Sequence, residues 1–160
     1  EVPPFAPLTG PLKVTLTGSA HNKDGWLRKN DPETLEVLHH LEAKVAARAG
    51  EMAMVTEDLD EDADTVVVSY GITARAAREA VRAARAAGRR VSFLGLLTLF
   101  PVPAGAVRAA VGDARRVVVA EENLGGLYRR VLAGVLPGVE LRGVNRLGGM
   151  IRPAEILEAL

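Results

Sequence analysis

Short runs of consecutive aliphatic residues, separated by alanine-rich segments, limit most strongly what this chain can fold into. The four runs predict strands over residues 65–69, 91–94, 116–120 and 139–144. Strands without polar alternation are buried on both faces, as in parallel sheets covered by helices on both sides. Right-handed connections between such strands place the helices on either face. The pattern therefore predicts a three-layer α/β fold around a mostly parallel sheet.

The segments between and after these strands have the composition and the ending signals of helices. The predicted helices cover residues 73–87, 104–111, 124–136 and 153–160. Gly88 and Gly112 follow the first two directly, where glycine commonly ends a helix. Residues 52–55, just before the acidic run of residues 57–64, predict a short fifth strand at the sheet edge.

The first fifty residues differ in character from the rest. Residues 1–11 hold four of the nine prolines and predict an extended linker, because proline fixes φ and lacks a backbone donor. Residues 12–17 alternate polar and apolar side chains and predict a short strand, and residues 18–30 predict a polar loop. We therefore divide the chain into an arm, residues 1–50, and a globular domain, residues 51–160.

The arm also contains one predicted helix. Asp31-Pro32-Glu33 combines a capping residue, a proline at the first helical position and an acid in the first turn. Gly50 is expected to end this helix. Apolar residues recur along it at spacings of three and four, at Leu35, Leu38, Leu41 and Val45.

Composition excludes several classes of function. Twenty Lys and Arg balance twenty Asp and Glu, so the chain lacks the cationic excess of a general nucleic-acid binder. The sequence has no cysteine, which excludes disulfides and cysteine-ligated iron–sulfur clusters within it. No apolar run approaches the ~18 residues of a membrane span, and the first residues lack the pattern of a signal peptide. We expect a cytoplasmic protein that binds no membrane and no nucleic acid.

Sites in open α/β sheets form beyond the carboxyl ends of the strands. Gly71 and Thr73 lie where the first predicted strand passes into a helix. Free backbone N–H groups at such a position make these two residues weak candidates for an anion site. The segment lacks the glycine spacing of known nucleotide loops, so Thr73 as the cap of its own helix is the favoured interpretation.

Two adjacent carboxylates, Glu121 and Glu122, follow the third predicted strand. Paired acids suit general acid–base catalysis, but neighbours along a strand point to opposite faces. No His, Ser or Cys lies nearby in sequence to act with them. A structural role is therefore favoured, with Asn123 as a helix cap.

Four arginines recur at helical spacing in the segment after Thr73. They are Arg75, Arg78, Arg82 and Arg85. Such a charged face more often meets water than clamps a phosphate, and we favour the solvated face. The acidic run of residues 57–64 could attract this face or a partner, although exposed ion pairs contribute only ~0–1 kcal/mol each.

The three histidines assemble no recognisable metal or catalytic site. His39 and His40 are adjacent on the predicted helix, so their side chains diverge and cannot share a metal. The third histidine lies in a polar loop, where functional residues concentrate. The loop has too little apolar content to fold on itself, so docking to a partner is favoured at least as much as a reactive site. The interface candidates are His21, Asn22, Asp24 and Gly25. We expect no catalytic residue, no metal and no cofactor in this chain.

Several segments form an ordered series along the chain. They are Leu16-Thr17-Gly18-Ser19-Ala20-His21 with Gly25, Asp31-Pro32-Glu33, Ser69-Tyr70-Gly71-Ile72-Thr73-Ala74-Arg75-Ala76-Ala77, Thr98-Leu99-Phe100-Pro101-Val102-Pro103 and Val119-Ala120-Glu121-Glu122-Asn123-Leu124-Gly125. In order and spacing, over nearly the whole chain, the series resembles the C-terminal part of the alpha subunit of 2-oxoacid:ferredoxin oxidoreductases. From about Met52 onward it is similar to the transketolase C-terminal-like domain. That similarity implies a three-layer α/β/α unit with a five-stranded sheet whose first strand is antiparallel.

The resemblance also implies a function for the whole complex. The family decarboxylates a 2-oxoacid oxidatively with thiamine diphosphate, transfers the acyl group to coenzyme A and passes electrons through iron–sulfur clusters to ferredoxin. Its thiamine-activating glutamate lies in a preceding domain of the alpha subunit, and its diphosphate site lies in the beta subunit. Asp24-Gly25 is not the family's Gly-Asp-Gly diphosphate motif. The resemblance thus implies an assembly domain, cut from a longer subunit, that is inactive alone and works in an oligomer with the beta subunit.

Two other functions remain open at this point. One is a stand-alone α/β module that binds a small anion at residues 71–73. The other is a protein-interaction domain that docks through residues 18–30.

Overall fold

The computed structural model describes residues 6–12 and 18–160. The chain divides into two compact units, Glu1–Arg48 and Ala49–Leu160. Residues 1–5 of the predicted linker and residues 13–17 of the predicted first strand lie outside the described residues. No helix among those described is both long and apolar enough to span a bilayer.

The described residues of the first unit form a tight hairpin and one helix. In the hairpin, His21 and Leu27 form an isolated antiparallel bridge. Helix α1, Pro32–Ala46, begins after Asp31 with proline in its first turn, as predicted. The predicted end at Gly50 is wrong, because α1 stops at Ala46, after which the N–H groups of Ala47 and Arg48 bond back to Ala43 and Val45.

The second unit is a five-stranded sheet with helices on both faces. Its elements are α2 (Ala49–Met52), β1 (Val55–Asp58), β2 (Thr65–Tyr70), α3 (Thr73–Ala86), β3 (Val91–Leu96), α4 (Ala104–Val111), β4 (Arg116–Glu121), α5 (Leu127–Ala133), β5 (Glu140–Asn145) and α6 (Pro153–Ala159). The strand order is β1-β3-β2-β4-β5. Strand β1 pairs antiparallel with β3, and the other neighbours are parallel. The predicted three-layer α/β fold with an antiparallel first strand is confirmed.

Two aliphatic clusters cover the two faces of the sheet. Because side chains alternate along a strand, Val66 and Val68 face one cluster and Val67 faces the other. Val107 of α4 and Leu132 of α5 complete the first cluster. The second cluster gains alanines and Val81 from α3 and Ile156 from α6. The small α3 side chains therefore bring that helix close to the sheet.

In the second unit, β1 and α5 differ most from their predicted positions. The fifth strand lies at Val55–Asp58 rather than at residues 52–55, and Met52 belongs to α2. The strand extends into the acidic run because it lies at the sheet edge, where Glu57 is exposed and Arg85 pairs with Asp58. Helix α5 starts at Leu127 rather than at residue 124, because Gly125 and Gly126 have φ values of 84° and 68°.

Candidate functional site

Parallel strands β2, β3, β4 and β5 end on the same side of the sheet, which we call the carboxyl edge. The favoured place for a site in such a fold is this edge. The predicted candidates Gly71, Thr73, Glu121 and Glu122 all lie in or beside it.

Glu121, at the end of β4, is the most buried acid of the carboxyl edge, with 1% of its surface exposed. Its Oε2 accepts hydrogen bonds from Tyr70 Oη (3.1 Å), Asn123 Nδ2 (2.7 Å) and the Tyr128 N–H (2.9 Å). Its Oε1 accepts one from the Arg129 N–H at 3.0 Å. Four donors thus satisfy this carboxylate, which fastens the end of β4 to the start of α5.

Glu122 points away from this network. Its Oε1 accepts a hydrogen bond of 3.0 Å from the Ile151 N–H, in the segment before α6. The two acids therefore act on opposite sides of the strand end, as the alternation of β4 predicts. The structure supports the structural role that was favoured over acid–base catalysis for the pair.

Asn123 shapes the turn between β4 and α5. Its Oδ1 accepts hydrogen bonds from the N–H groups of Gly126 (3.1 Å) and Leu127 (3.2 Å). The prediction of Asn123 as the helix cap is wrong, because α5 begins at Leu127 and Gly126 is the residue directly before it. Asn123 instead holds the turn that leads into the helix. The same side chain donates through Nδ2 to Glu121, so one asparagine links both ends of the turn.

Two tyrosines lie beside Glu121. The rings of Tyr70 and Tyr128 meet edge to face, with centroids 5.7 Å apart and an interplanar angle of 64°. Burial, and next the Glu121 carboxylate, raises the pKa of Tyr70 above its usual value of 10.0. Burial also raises the pKa of Tyr128. Both phenols stay protonated at neutral pH, where Tyr70 donates to Glu121 and Tyr128 donates to the Leu99 carbonyl.

No motif or spacing in the sequence points to Arg129, whose Nε is buried without a hydrogen-bond partner among the described residues. Gly126 and Gly143 lie against it. A Cβ added to Gly143 would come within 2.8 Å of Arg129 Nε and 2.6 Å of Asn145 Oδ1. Such close approach requires glycine at this position of β5.

Gly71 and Thr73 lie on either side of Ile72 at the start of α3. Gly71 has a φ of 58°. Thr73 is buried and makes no side-chain capping bond, because Ile72 precedes the helix and Thr73 is its first residue. The predicted Thr73 cap is therefore wrong. The N–H groups of Ala74 and Arg75 bond to the Gly71 and Ile72 carbonyls, which occupies two of the donors that an anion would need.

The four arginines of α3 divide into two pairs rather than forming one solvated face. Arg85 bonds to Asp58 and to the Val91 carbonyl, and Arg78 lies 5.1 Å over the Phe93 ring. Arg82 makes only an exposed 3.7 Å contact with Glu79. Arg75 is exposed and forms no side-chain hydrogen bond or ion pair within the described residues, so Arg75 and Arg82 fit the predicted solvated face.

The polar loop of the first unit is a closed hairpin. The Asn22 N–H donates to the Trp26 carbonyl, and the Trp26 N–H donates to Asn22 Oδ1 at 2.9 Å. Gly25 takes a φ of 81° in the turn, and Trp26 keeps 69% of its surface exposed. Asn22 and Gly25 thus shape the hairpin, while His21 and Asp24 are exposed on it.

Donor sets for a metal or a cluster are missing from the described part of the chain. No three His, Asp or Glu side chains of residues 6–12 and 18–160 converge closely enough to share an ion. The sequence has no cysteine for an iron–sulfur cluster. These residues therefore do not fit the metal-bound diphosphate of thiamine diphosphate or an iron–sulfur cluster.

Residues 49–160 thus form a five-stranded, mostly parallel α/β domain with helices on both faces of the sheet. Residues 63–156 match the family model of the pyruvate:ferredoxin oxidoreductase core domain II. The chain belongs to this family. The resemblance stated from the ordered motifs is thereby confirmed.

Curated relatives agree with this assignment. The 2-oxoglutarate synthase subunit KorA of Methanothermobacter thermautotrophicus is 33% identical over 153 residues, which cover 92% of this chain and 40% of that protein. The ketoisovalerate oxidoreductase subunit VorB of the same organism is 35% identical over 130 residues, covering 80% of this chain and 36% of that protein. The chain thus spans about two fifths of the length of the relatives it matches.

A solved structure shows the same fold. It is a 2-oxoglutarate:ferredoxin oxidoreductase from Magnetococcus marinus with 2-oxoglutarate, coenzyme A and succinyl-CoA bound. The match has a TM-score of 0.73 at 22% identity and covers 97% of this chain and 27% of that one.

Proposed function

We propose that this chain is an assembly domain in the alpha subunit of a thiamine-diphosphate-dependent 2-oxoacid:ferredoxin oxidoreductase. The complex would convert a 2-oxoacid to an acyl-CoA in the cytoplasm, with its electrons passing through iron–sulfur clusters to ferredoxin. Thiamine diphosphate, the clusters and coenzyme A would be held by other parts of the complex, including the beta subunit. The division into an arm, residues 1–50, and a transketolase C-terminal-like domain, residues 51–160, is part of this proposal.

The Glu121 network carries this proposal. A catalytic carboxylate must exchange a proton with a substrate, so it must be reachable and have free acceptor positions. Glu121 is buried and accepts four hydrogen bonds from its own domain. Glu121 therefore has a structural role, because its hydrogen bonds keep the loops of the carboxyl edge in a fixed arrangement.

Binding of thiamine diphosphate tests whether other parts of the complex, rather than this chain, hold the cofactor. The chain alone should give no heat of thiamine diphosphate binding in calorimetry with Mg²⁺ present, and no decarboxylation of a 2-oxoacid. The assembled complex should do both. Stoichiometric binding of thiamine diphosphate by the chain alone would refute the proposal.

We also propose that the hairpin of the first unit contacts a partner subunit. Its exposed Trp26 supports this, since exposed aromatic side chains are enriched at protein interfaces. His21 and Asp24 are the exposed interface candidates, and Asn22 and Gly25 hold the turn. The double variant His21→Ala/Asp24→Ala should weaken co-purification of the complex, whereas Glu42→Ala on α1 should not.

The anion-binding role of Gly71 and Thr73 stays a prediction. Two of the N–H groups at the start of α3 are already bonded within the turn, so no observation favours it over assembly. Diffraction from crystals soaked in phosphate or coenzyme A would reveal density at this helix start if the role is real.

A further inference from the structure

The connections that leave the carboxyl edge carry large apolar side chains exposed to water. We call the following six residues the carboxyl rim: Ile72, Leu97, Phe100, Leu124, Leu147 and Met150. Each follows the end of β2, β3, β4 or β5. Their exposed fractions range from 47% at Ile72 to 81% at Phe100. Thus, at least one exposed apolar side chain follows each parallel strand, and all six lie on the same side of the domain.

The opposite side of the sheet differs in composition. Among the described residues that connect elements there, Leu59 is the one large apolar side chain with high exposure, at 45%. Its neighbours are the acids Asp60, Glu61 and Asp62. Scattered exposed apolar residues need no explanation, but a concentration on one side marks a contact surface.

The rim is held in shape by the domain itself. Leu124 lies in the turn fixed by Asn123, whose Oδ1 accepts from Gly126 and Leu127. The segment before Phe100 is tied to α5 by the bond from Tyr128 Oη to the Leu99 carbonyl. A surface with fixed loops loses little conformational entropy when it is covered, which favours binding.

Unpaired cations border the rim. The Arg130 guanidinium lies against Gly125, where an added Cβ would come within 3.0 Å of Nη2. Arg75 lines a groove of about 380 Å³ together with Leu97. Neither arginine forms an ion pair within the described chain. Carboxylates on the covering surface would complement these cations.

From these observations we propose that the carboxyl rim docks onto a protein surface of aliphatic side chains bordered by Asp and Glu. Every cation from residue 49 to residue 160 is an arginine. Arginine is enriched and lysine depleted at protein interfaces, because the guanidinium pairs with carboxylates in a fixed geometry. The inference deepens the proposed assembly role and rests on it, since it names the surface that would make the contact.

A second copy of this chain does not fit the rim. In a two-fold symmetric dimer the same patch faces itself, so Arg75 and Arg130 would approach like charges. An anionic membrane would also attract the arginines. Segments that lie in a membrane surface are typically single amphipathic helices, whereas the six rim residues follow four different strands.

Hydroxyl-radical footprinting of the assembled enzyme tests the proposal directly. The labelling of Phe100, Leu124 and Leu147 should fall about tenfold in the complex relative to the 160-residue chain, once its circular dichroism shows it folded. Leu59 is the internal control and should be labelled equally in both. Equal labelling of the rim in the two samples would overturn the proposal.

Substitutions in the carboxyl rim test which kind of molecule covers it. Leu124→Ser/Leu147→Ser should weaken assembly of the complex about tenfold or more, and Arg130→Glu should weaken it less at high salt than at low salt. Leu59→Ser and Arg108→Glu are the matched controls and should assemble as the wild type does. Concentration-dependent dimerisation through the rim, or binding of the chain to phosphatidylserine vesicles, would contradict a protein partner of this chemistry.

The two proposals fail separately. Footprinting reports on the rim whether or not the complex decarboxylates a 2-oxoacid. A complex that protects the rim but lacks thiamine-diphosphate-dependent activity would contradict the proposed function and still support the docking surface. A fully active complex with an exposed rim would support the proposed function and contradict the docking surface.

Discussion

Glu121 shows how a single buried acid can organise the end of a sheet. Its carboxylate gathers donors from β2, from the turn after β4 and from the first residues of α5. A buried charge is tolerated only when such donors surround it, and removing the acceptor would leave them without partners.

Replacing Glu121 tests this account. Glu121→Gln keeps the size but turns one acceptor oxygen into a donor that faces a donor, and we expect a loss of about 1–3 kcal/mol in the free energy of unfolding. Glu122→Gln loses at most one hydrogen bond and should cost less, about 0.5–1.5 kcal/mol. Urea denaturation of both variants measures the difference. Equal costs would show that the four-donor network contributes nothing beyond an ordinary surface acid.

Residue roles were only partly predictable from sequence. The opposite orientation of Glu121 and Glu122 follows from strand alternation alone. The partners Tyr70, Tyr128 and Arg129 come from other elements, and no local spacing indicates which of them meet. The predicted Thr73 cap is wrong because α3 begins at Thr73 itself, with Ile72 as the residue before the helix.

At the scale of elements, Arg85 fastens the edge strand β1 to the domain. It donates through Nε to the Val91 carbonyl (2.8 Å) and through Nη2 to the Asp58 carbonyl (2.8 Å), and it pairs with the Asp58 carboxylate. One side chain thus joins α3, β3 and β1.

Arg85→Ala should therefore destabilise the fold by about 1–3 kcal/mol, and it should speed hydrogen exchange in β1 more than in β2. Arg82→Ala is the matched control, because its only ion pair is exposed, and it should change stability by less than about 0.5 kcal/mol. Urea denaturation and exchange mass spectrometry read out the two effects. Unchanged exchange in β1 would show that pairing with β3 alone holds this strand.

Glu155 supports the start of α6 and makes its stability depend on pH. The Arg152 backbone N–H, with further help from the Arg152 and Arg146 side chains, lowers the pKa of Glu155 below its usual value of 4.5. The carboxylate therefore favours the folded state above pH 4.5, and this contribution is lost as pH falls through the lowered folded-state pKa.

Glu155→Gln should lower the thermal midpoint at pH 7, with the gap to the wild type closing as the pH falls below 4.5. Glu158→Gln on the same helix is the control and should leave the thermal midpoint at pH 7 unchanged. Thermal melts from pH 7 to strongly acidic solution supply the measurement. A difference in thermal midpoint that stays constant with pH would contradict the stabilisation of α6 by the ionised Glu155.

The existence of the elements was easier to predict than their ends. Continuous valine runs set β2 and β4, and glycines marked the ends of α3 and α4. The position of β1 was missed because its acids resemble a loop until Arg85 and the β3 ladder are in place. The late start of α5 depends on two left-handed glycines, which a helical pattern alone does not reveal.

At the scale of the whole molecule, the antiparallel direction of the first strand was predicted from the family resemblance rather than from the residues. The residues predicted the layers, since buried aliphatic strands need helices on both faces. They could not predict the carboxyl rim, because exposure of Leu124 or Leu147 is decided only once the loops are placed on the folded sheet.

The two edge strands, β1 and β5, also affect whether a further strand can add to the sheet. On β5, Glu140 and Arg142 project charge into water beside the open backbone, and Arg116 joins them. On β1, the exposed Glu57 does the same. Charged margins discourage a foreign strand from adding to the ladder. These charges therefore disfavour extension of the sheet beyond five strands, so contact with another subunit is favoured through side chains of the loops rather than through the sheet edges.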